Sequence, residues 1–335
     1  MSMLSDYLRP AARALALGAA LLAQGAQAAD YPSRPVMMMV PYPAGGTSDA
    51  IARLVAPPVS KTLGQPVLVE NLGGVSGALG AQKVLAAKSD GHYLFQGSPN
   101  ELILSPLANP AVKLKSEDFR LVQMIGLAPL VIVARSDLPA NSADELAALA
   151  RLRSASQPLT FGSVGVGSLY HVLGEHLART LGVAMVHVPY KGGAPLMQDI
   201  GGGQVDLAIL PLSQQQMALA EQGRVKLLAT LDPQRSPLPS LTAVPSVNEG
   251  EQLKGFNFTT WTGYFVKRDT PEDVVLRLHA ALNNAMQDPA VKRGLEFQNI
   301  KVSEPMSADA AEAMYRAETS RFREISRRVE LTDKP

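Results

Sequence analysis

The sequence predicts an α/β protein of two domains, with parallel sheets covered by helices on both faces. Three observations predict it. Short apolar runs alternate with helical stretches along most of the chain. The 335 residues are more than one core usually organises. Three of the runs end in a glycine loop that leads into a helix, the position where open α/β sheets place their ligands.

The chain opens on a leader. Arg9 and Arg13 precede a short apolar run over 14–23, and Ala26-Gln27-Ala28 is a small-residue cleavage signal. The run is too short to span a bilayer. Cleavage after Ala28 is expected, giving an exported protein that starts at Ala29. No later stretch is apolar enough to cross a membrane.

The first strand is expected over 36–40 and stops at Pro41 and Pro43, which cannot continue a central strand. Gly45 and Gly46 follow, then Thr47 and Ser48 as candidate N-caps for a helix over 50–63. A strand over 67–70, a glycine loop and a helix over 76–88 come next. A strand over 92–96 leads to the loop Gly97-Ser98-Pro99-Asn100. Two apolar runs within 119–135 are separated by Ala128-Pro129. The alternation resumes with helices over 142–153, 168–181, 194–200 and 213–222, and strands over 159–162, 184–188, 205–210 and 225–230. Residues 231–251 are rich in Pro and Ser and read as a long surface connection back to the first domain. A strand over 259–266, a helix over 271–287 with Pro271 in its first turn, and a helix over 308–328 complete the chain. The predicted organisation is a leader over 1–28, a first domain from 29–132 and 253–335, and a second domain over 133–252.

Composition excludes several functions. The chain has 31 basic and 30 acidic residues, and removing Arg9, Arg13 and Asp6 with the leader leaves them equal. A nucleic-acid binder would need a basic field. There is no cysteine, so disulfides, thiolate catalysis and Cys–metal sites are ruled out. The five histidines fall in no zinc-binding spacing. No cofactor and no metal are expected.

The first candidate site is the loop from Tyr42 to Asp49. Bare amides at Ala44, Gly45, Gly46 and Thr47, set at a helix start, favour an anion. No lysine follows in P-loop spacing, so a small carboxylate is the expected guest. Tyr42 supplies an aromatic wall. Asp49 is either a first-turn carboxylate bonding the loop amides or a partner for a ligand ammonium or hydroxyl. The second candidate runs from Phe161 to His171, with Ser163, Gly165, Gly167 and Ser168 in the same strand–loop–helix form. It is neither a nucleophile elbow nor a dinucleotide fingerprint. His171 there reads as a first-turn residue that bonds the loop. The third, Val188-Pro189-Tyr190-Lys191-Gly192-Gly193, offers Tyr190 as a wall. None of the three carries a nucleophile–base pair, which points to binding rather than turnover.

These motifs in this order resemble a known family. Tyr31-Pro32-Ser33-Arg34-Pro35, the run from Val40 to Asp49, Gly64-Gln65-Pro66-Val67, Asp90-Gly91, the run from Val186 to Gly192, and Gly202-Gly203-Gln204-Val205-Asp206-Leu207 look like the Bug-type receptors. Those are the periplasmic solute-binding components of tripartite tricarboxylate transporters. The resemblance covers nearly all of the chain after the leader. It implies a type II periplasmic-binding-protein fold: two α/β domains joined by two crossover strands, expected near 131–135 and 261–266. It implies a periplasmic monomer that holds a small organic carboxylate between its lobes and delivers it to integral-membrane transporter subunits. Family ligands include di- and tricarboxylates, acidic amino acids and aromatic acids.

The matching positions are Tyr42, the backbone of 45–47, Asp49, Ser163, the backbone of 165–168 and Tyr190, with Ser98 and Asn100 lining the first-domain wall. One departure stands out. Where the family often has a polar residue after Val205-Asp206-Leu207, this chain has Ala208-Ile209-Leu210-Pro211. Leu210 and Pro211 therefore favour an acid without an ammonium group. Trp261 is either hinge core or a lid. Two other functions stay open: an exported serine-dependent hydrolase acting through Ser163 or Ser168, and a ligand-sensing periplasmic subunit of a signalling system.

Overall fold

The computed structural model describes residues 31–236 and 241–328; the expected leader lies outside the described residues. The first half of the molecule opens with β1 (Val36–Val40), α1 (Thr47–Leu63), β2 (Val67–Asn71), α2 (Ala78–Ala86), β3 (Tyr93–Gly97) and the short α3 (Ser105–Ala108). The long β4 (Phe119–Arg135) leads into the second half. There α4 (Ala143–Arg153), β5 (Leu159–Ser163), α5 (Leu169–Leu181), β6 (Met185–Pro189), α6 (Gly193–Gly201), β7 (Leu207–Pro211), α7 (Gln214–Glu221) and β8 (Val225–Thr230) alternate. The chain then returns to the first half as β9 (Thr259–Lys267), α8 (Glu272–Gln287), α9 (Pro289–Phe297), β10 (Lys301–Val302) and α10 (Ala308–Arg328).

The strands form one curled path, β2-β1-β3-β9-β4-β7-β5-β6, with β8 and β10 also paired to β4. The expectation of parallel sheets is corrected in part. β1 pairs in parallel with β2 and β3, and β5 with β6 and β7. Every pairing of β4 and β9 is antiparallel. These two strands carry the chain between the halves and are not linked by a helical crossover, so they escape the handedness that makes βαβ units parallel.

Ala128-Pro129 does not break the apolar stretch. Phe119–Arg135 is one strand of 17 residues that changes neighbours at this point. Up to Pro129 it pairs with β9; from Leu130 it pairs with β7, and from Val131 with β8. Pro129 has no amide to give, and the exchange of partners is where a strand tolerates that loss. The crossing thus lies just before the expected 131–135. Trp261 and its neighbours sit within the first-half ladder against β3 and β4. The return crossing lies at 258–259, where the Phe258 amide donates to Leu231 O at 3.1 Å.

Residues 241–253 stay on the second half. Leu241 and Val244 pack on Val131, Leu212 and Met217. The Asp144 carboxylate accepts the amides of Glu251 and Gln252. Besides the short 3-10 turns Ser116–Asp118 and Val247–Glu249, two helical pieces have no counterpart in the sequence reading. One is a π-type turn, Asn100–Leu104, that runs into α3 where a loop was expected. The other is α9, capped by Asp288, which accepts the amides of Ala290 and Val291.

The pleat sorts the core. Val36, Met38 and Val40 face α1 and α8 in one cluster with Val55 and Leu278. Met39 points the other way, into a second cluster. That cluster includes Phe95 and Phe119 and continues without interruption to Ile132, Phe161 and Leu173 of the second half. The two halves are therefore packed onto each other, and the cleft between them is narrow.

Candidate functional site

Two small adjoining cavities lie where the halves meet, of ≈ 80 and ≈ 70 Å³. Tyr42, Thr47, Ser48, Tyr170 and Pro211 line both. The larger adds Gly46, Val164, Met197 and Leu210; the smaller adds Gln96, Ser98, Asn100, Glu101, Thr260 and Trp261. Of the predicted site residues, the structure brings together Tyr42, Gly46, Thr47, Ser98, Asn100, Leu210 and Pro211. Ala44, Gly45, Asp49, Ser163, Gly165, Gly167, Ser168 and Tyr190 stand outside both linings.

The first wall is the start of α1. Its N-cap is Gly46, with no side-chain cap bond, so Thr47 and Ser48 belong to the first turn and do not cap it. Asp49 does that work from inside the helix: its Oδ2 accepts the Gly45 amide at 3.0 Å and Arg53 Nε at 2.9 Å. Burial pushes its carboxyl up, but Arg53 and the Gly45 amide outweigh this and hold it below the ordinary aspartate value. Among the described residues the amides of Gly46, Thr47 and Ser48 find no acceptor. Such first-turn donors are the ones a helix cannot satisfy itself. The Asn71 side chain steadies this loop through Tyr42 O at 3.0 Å.

The second wall behaves differently. Ser163 Oγ accepts the Gly165 amide, His171 Nδ1 accepts the Gly167 amide, and Gly165 O accepts the Ser168 amide. Ser168 caps α5 by accepting from His171 N at 3.2 Å. The Leu169 amide is taken from across the cleft by Asn100 Oδ1 at 2.7 Å. Both glycines are in the left-handed region, φ 136° and 78°. A Cβ on Gly165 would come within 2.6 Å of Ser76 Oγ, and one on Gly167 would overlap the Ala108 methyl. Ser76 Oγ also donates to Val166 O at 2.7 Å. The second glycine loop is thus seated on first-half backbone.

Glu101 is the main site residue that sequence reasoning missed. It is fully buried, and Oε2 accepts the Ser98 amide at 2.6 Å and Ser98 Oγ at 2.8 Å. Oε1 has no partner. Burial pushes its carboxyl up to about 7, against opposing pulls from the Tyr42 phenol and Ser98. The phenol is near enough to bias that titration, yet no hydrogen bond of ordinary geometry joins the two. Tyr42 is itself pushed well up by burial and by this carboxyl, and its hydroxyl accepts from Asn100 Nδ2 at 3.3 Å. A carboxylate directly ahead of Leu102-Ile103-Leu104, in a run otherwise apolar, was the available signal. Gln96 and Thr260 were also missed and carry no motif; Tyr170 lies within the second candidate stretch but was not singled out as a site residue.

Other candidates have local duties. Tyr190 donates to Asp199 Oδ2 at 2.6 Å; burial and that carboxylate push its phenol up to about 12. Trp261 is core, 3% exposed, with Nε1 donating to Glu318 Oε2 at 3.0 Å. Its edge still borders the smaller cavity. His171 bonds the loop, as its helical position implied, and stacks on His187 at 3.9 Å. Ser163 Oγ lies 2.7 Å from His187 Nε2 but is fully buried and away from both cavities.

A family model described as "Tripartite tricarboxylate transporter family receptor" matches residues 51–331. A relative from Agrobacterium vitis, "UPF0065 protein in the TAR-I ttuE-ttuC' intergenic region", is 36% identical over 315 residues, covering 93% of this chain and 89% of that protein. Two solved structures share the fold. One is the periplasmic binding protein BugD, with a TM-score of 0.82 and 29% identity over 90% of this chain and 99% of that one. The other is MatC from Rhodopseudomonas palustris with bound malate, with a TM-score of 0.81 and 29% identity over 88% and 99%.

Proposed function

Because the chain belongs to the tripartite tricarboxylate transporter receptor family, we propose that it captures one small organic carboxylate in the cleft between its halves. The observation that carries this reading is the α1 N-terminus, where three amides without acceptors border a cavity that no lysine or arginine lines. Backbone donors and the helix dipole are then the principal attraction for an anion, and a carboxylate is the guest they suit.

The ligand is presented to integral-membrane transporter subunits by a monomer working in the periplasm after cleavage behind Ala28. Residues 31–129 and 259–328 act as one lobe and the residues between as the other, the boundaries set by the change of partners at Pro129 and the return at 258–259. Capture without catalysis is supported by Ser163, whose buried hydroxyl serves its own loop and His187. Leu210 and Pro211 border the larger cavity and favour acids without an α-ammonium group.

The test is a thermal-shift panel of malate, succinate, adipate, aspartate and benzoate, followed by calorimetry. An acid at ~100 times its Kd raises stability by roughly 2.7 kcal/mol. Binding near 1:1 with the acid recovered intact by chromatography is expected, with malate tighter than aspartate. Steady consumption of the acid, or labelling of Ser163 by a fluorophosphonate, would overturn the receptor reading.

A further inference from the structure

We propose that Glu101 contacts the bound acid directly, donating a hydrogen bond from Oε1 to a ligand oxygen, so that the cleft takes up a proton together with its anion. The inference rests on the receptor reading and names how that same site handles charge.

The side chain has a place built for it. Gly77, at φ 86°, faces the Glu101 Cγ so closely that any Cβ there would overlap it. The carboxyl group is fixed in one sense. Oε2 is committed as acceptor to both Ser98 donors, so a proton on this group sits on Oε1. Oε1 is buried, unpartnered, and part of a residue that lines the smaller cavity. A buried oxygen without a partner is costly, and a ligand atom that supplies one recovers that cost.

The surroundings decide which partner it is. From the β1–α1 loop Tyr42 faces Glu101, and from the first turn of α5 Tyr170 does; burial raises both phenols, so both remain neutral. The segment Val75–Gly77 brings no charged residue, and nor do β3 with Gln96 or β9 with Thr260, Trp261 and Thr262. Gln96 is neutral: one Nε2 hydrogen goes to Ser48 O, and its buried Oε1 has no partner. The helices packed on the Asn100–Leu104 turn bring charges that already have partners: on α10 Glu318 bonds Trp261 Nε1 and Arg321, Arg316 pairs with Glu312 and Arg323 with Glu117, and on α2 Lys83 pairs with Glu70. Among the described residues no guanidinium or ammonium lines the smaller cavity to offset two negative charges side by side. An ionised Glu101 would repel the incoming carboxylate, whereas the protonated form donates to it. Burial already holds the empty group near neutrality, at about 7. An anion beside it favours protonation further. Binding therefore consumes protons, and affinity is full below the free value and declines above it.

Calorimetry with malate and with adipate, in pairs of buffers of different ionisation heat from about pH 6 to about pH 8.5, reads this directly. The parent should take up a fraction of a proton per ligand near neutrality, rising with pH. Its affinity should fall by up to about tenfold per pH unit above pH 7. Glu101→Gln keeps an acceptor for Ser98 and a donor for the ligand at every pH, so its proton uptake and pH slope should vanish. The parent's proton count stands even if that variant folds poorly. Binding by the parent with no proton uptake, or affinity that rises with pH, overturns the inference and leaves the receptor reading in place. Failure of every acid in the panel to bind at any pH overturns the receptor reading, and this inference with it.

Discussion

Two glycine loops face each other across the cleft, and the sequence writes them alike: strand end, glycines, a hydroxyl residue, helix. The structure uses them in opposite ways. In the loop before α1 the amides of Gly46, Thr47 and Ser48 are left without acceptors at the cavity wall. In the loop before α5 they are consumed by Ser163, His171, Gly165 and Asn100, and the loop is pressed onto Ser76 and Ala108. One loop offers donors and the other closes a contact. A glycine can expose backbone to a ligand or let backbone lie against backbone, and the motif alone does not say which.

Substitution at the two loops is the sharpest way to break this contrast. Gly167→Val puts a β-branched residue at positive φ and against Ala108, and should cost roughly 3–5 kcal/mol in urea or thermal unfolding. A variant as stable as the parent would show that this loop is not a seated contact.

The floor between the loops gives the next effect. The fold raises the Glu101 carboxyl to about 7, so its contribution is complete below about pH 4.5, its ordinary value, and is lost as pH rises to about 7. The span is worth about 3 kcal/mol. Paired and bonded carboxylates such as Asp206 are depressed and give the opposite slope. The measurement is therefore the difference in stability between parent and Glu101→Gln across that range. A constant difference would remove Glu101 as the cause.

Asn100→Ala takes the only described partner from the Leu169 amide and should cost about 1–3 kcal/mol of stability. An unchanged melting temperature would mean the bridge between the halves lies elsewhere. Gly46→Val should be the mildest for the fold. Its φ is −86°, and an added Cβ meets only Pro43 O, at 3.7 Å, so stability should move by less than about 0.5 kcal/mol. Carboxylate affinity should still fall about tenfold, about 1.4 kcal/mol, because the branched side chain crowds the exposed amides. Equal affinity would move the ligand away from α1.

Much of the fold was legible. β1, β8 and α10 begin and end where apolar runs and helical spacing place them, because each depends on local pattern. What failed to show was non-local. The apolar stretch over 119–135 reads as two pieces because proline normally ends a central strand; only the exchange of partners explains why it does not. The site was half legible. Backbone-exposing loops leave glycine signatures, so Tyr42, Gly46 and Thr47 could be found. Glu101, Gln96 and Thr260 converge from three elements, and no spacing within one element encodes that. Asp49, open between two roles, serves its own helix and Arg53.

The single strand through both halves has a mechanical consequence. β4 is bonded to β9 before Pro129 and to both β7 and β8 after it, and a bonded ribbon resists bending in the plane of its ladder. At Pro129 one rung is missing by chemistry, and there too the neighbours change from β9 to β7. Compliance is concentrated at that residue, with stiff ladder before and after it. Any flexing of one half against the other would centre on that residue. Restoring a rung with Pro129→Val would shift that centre.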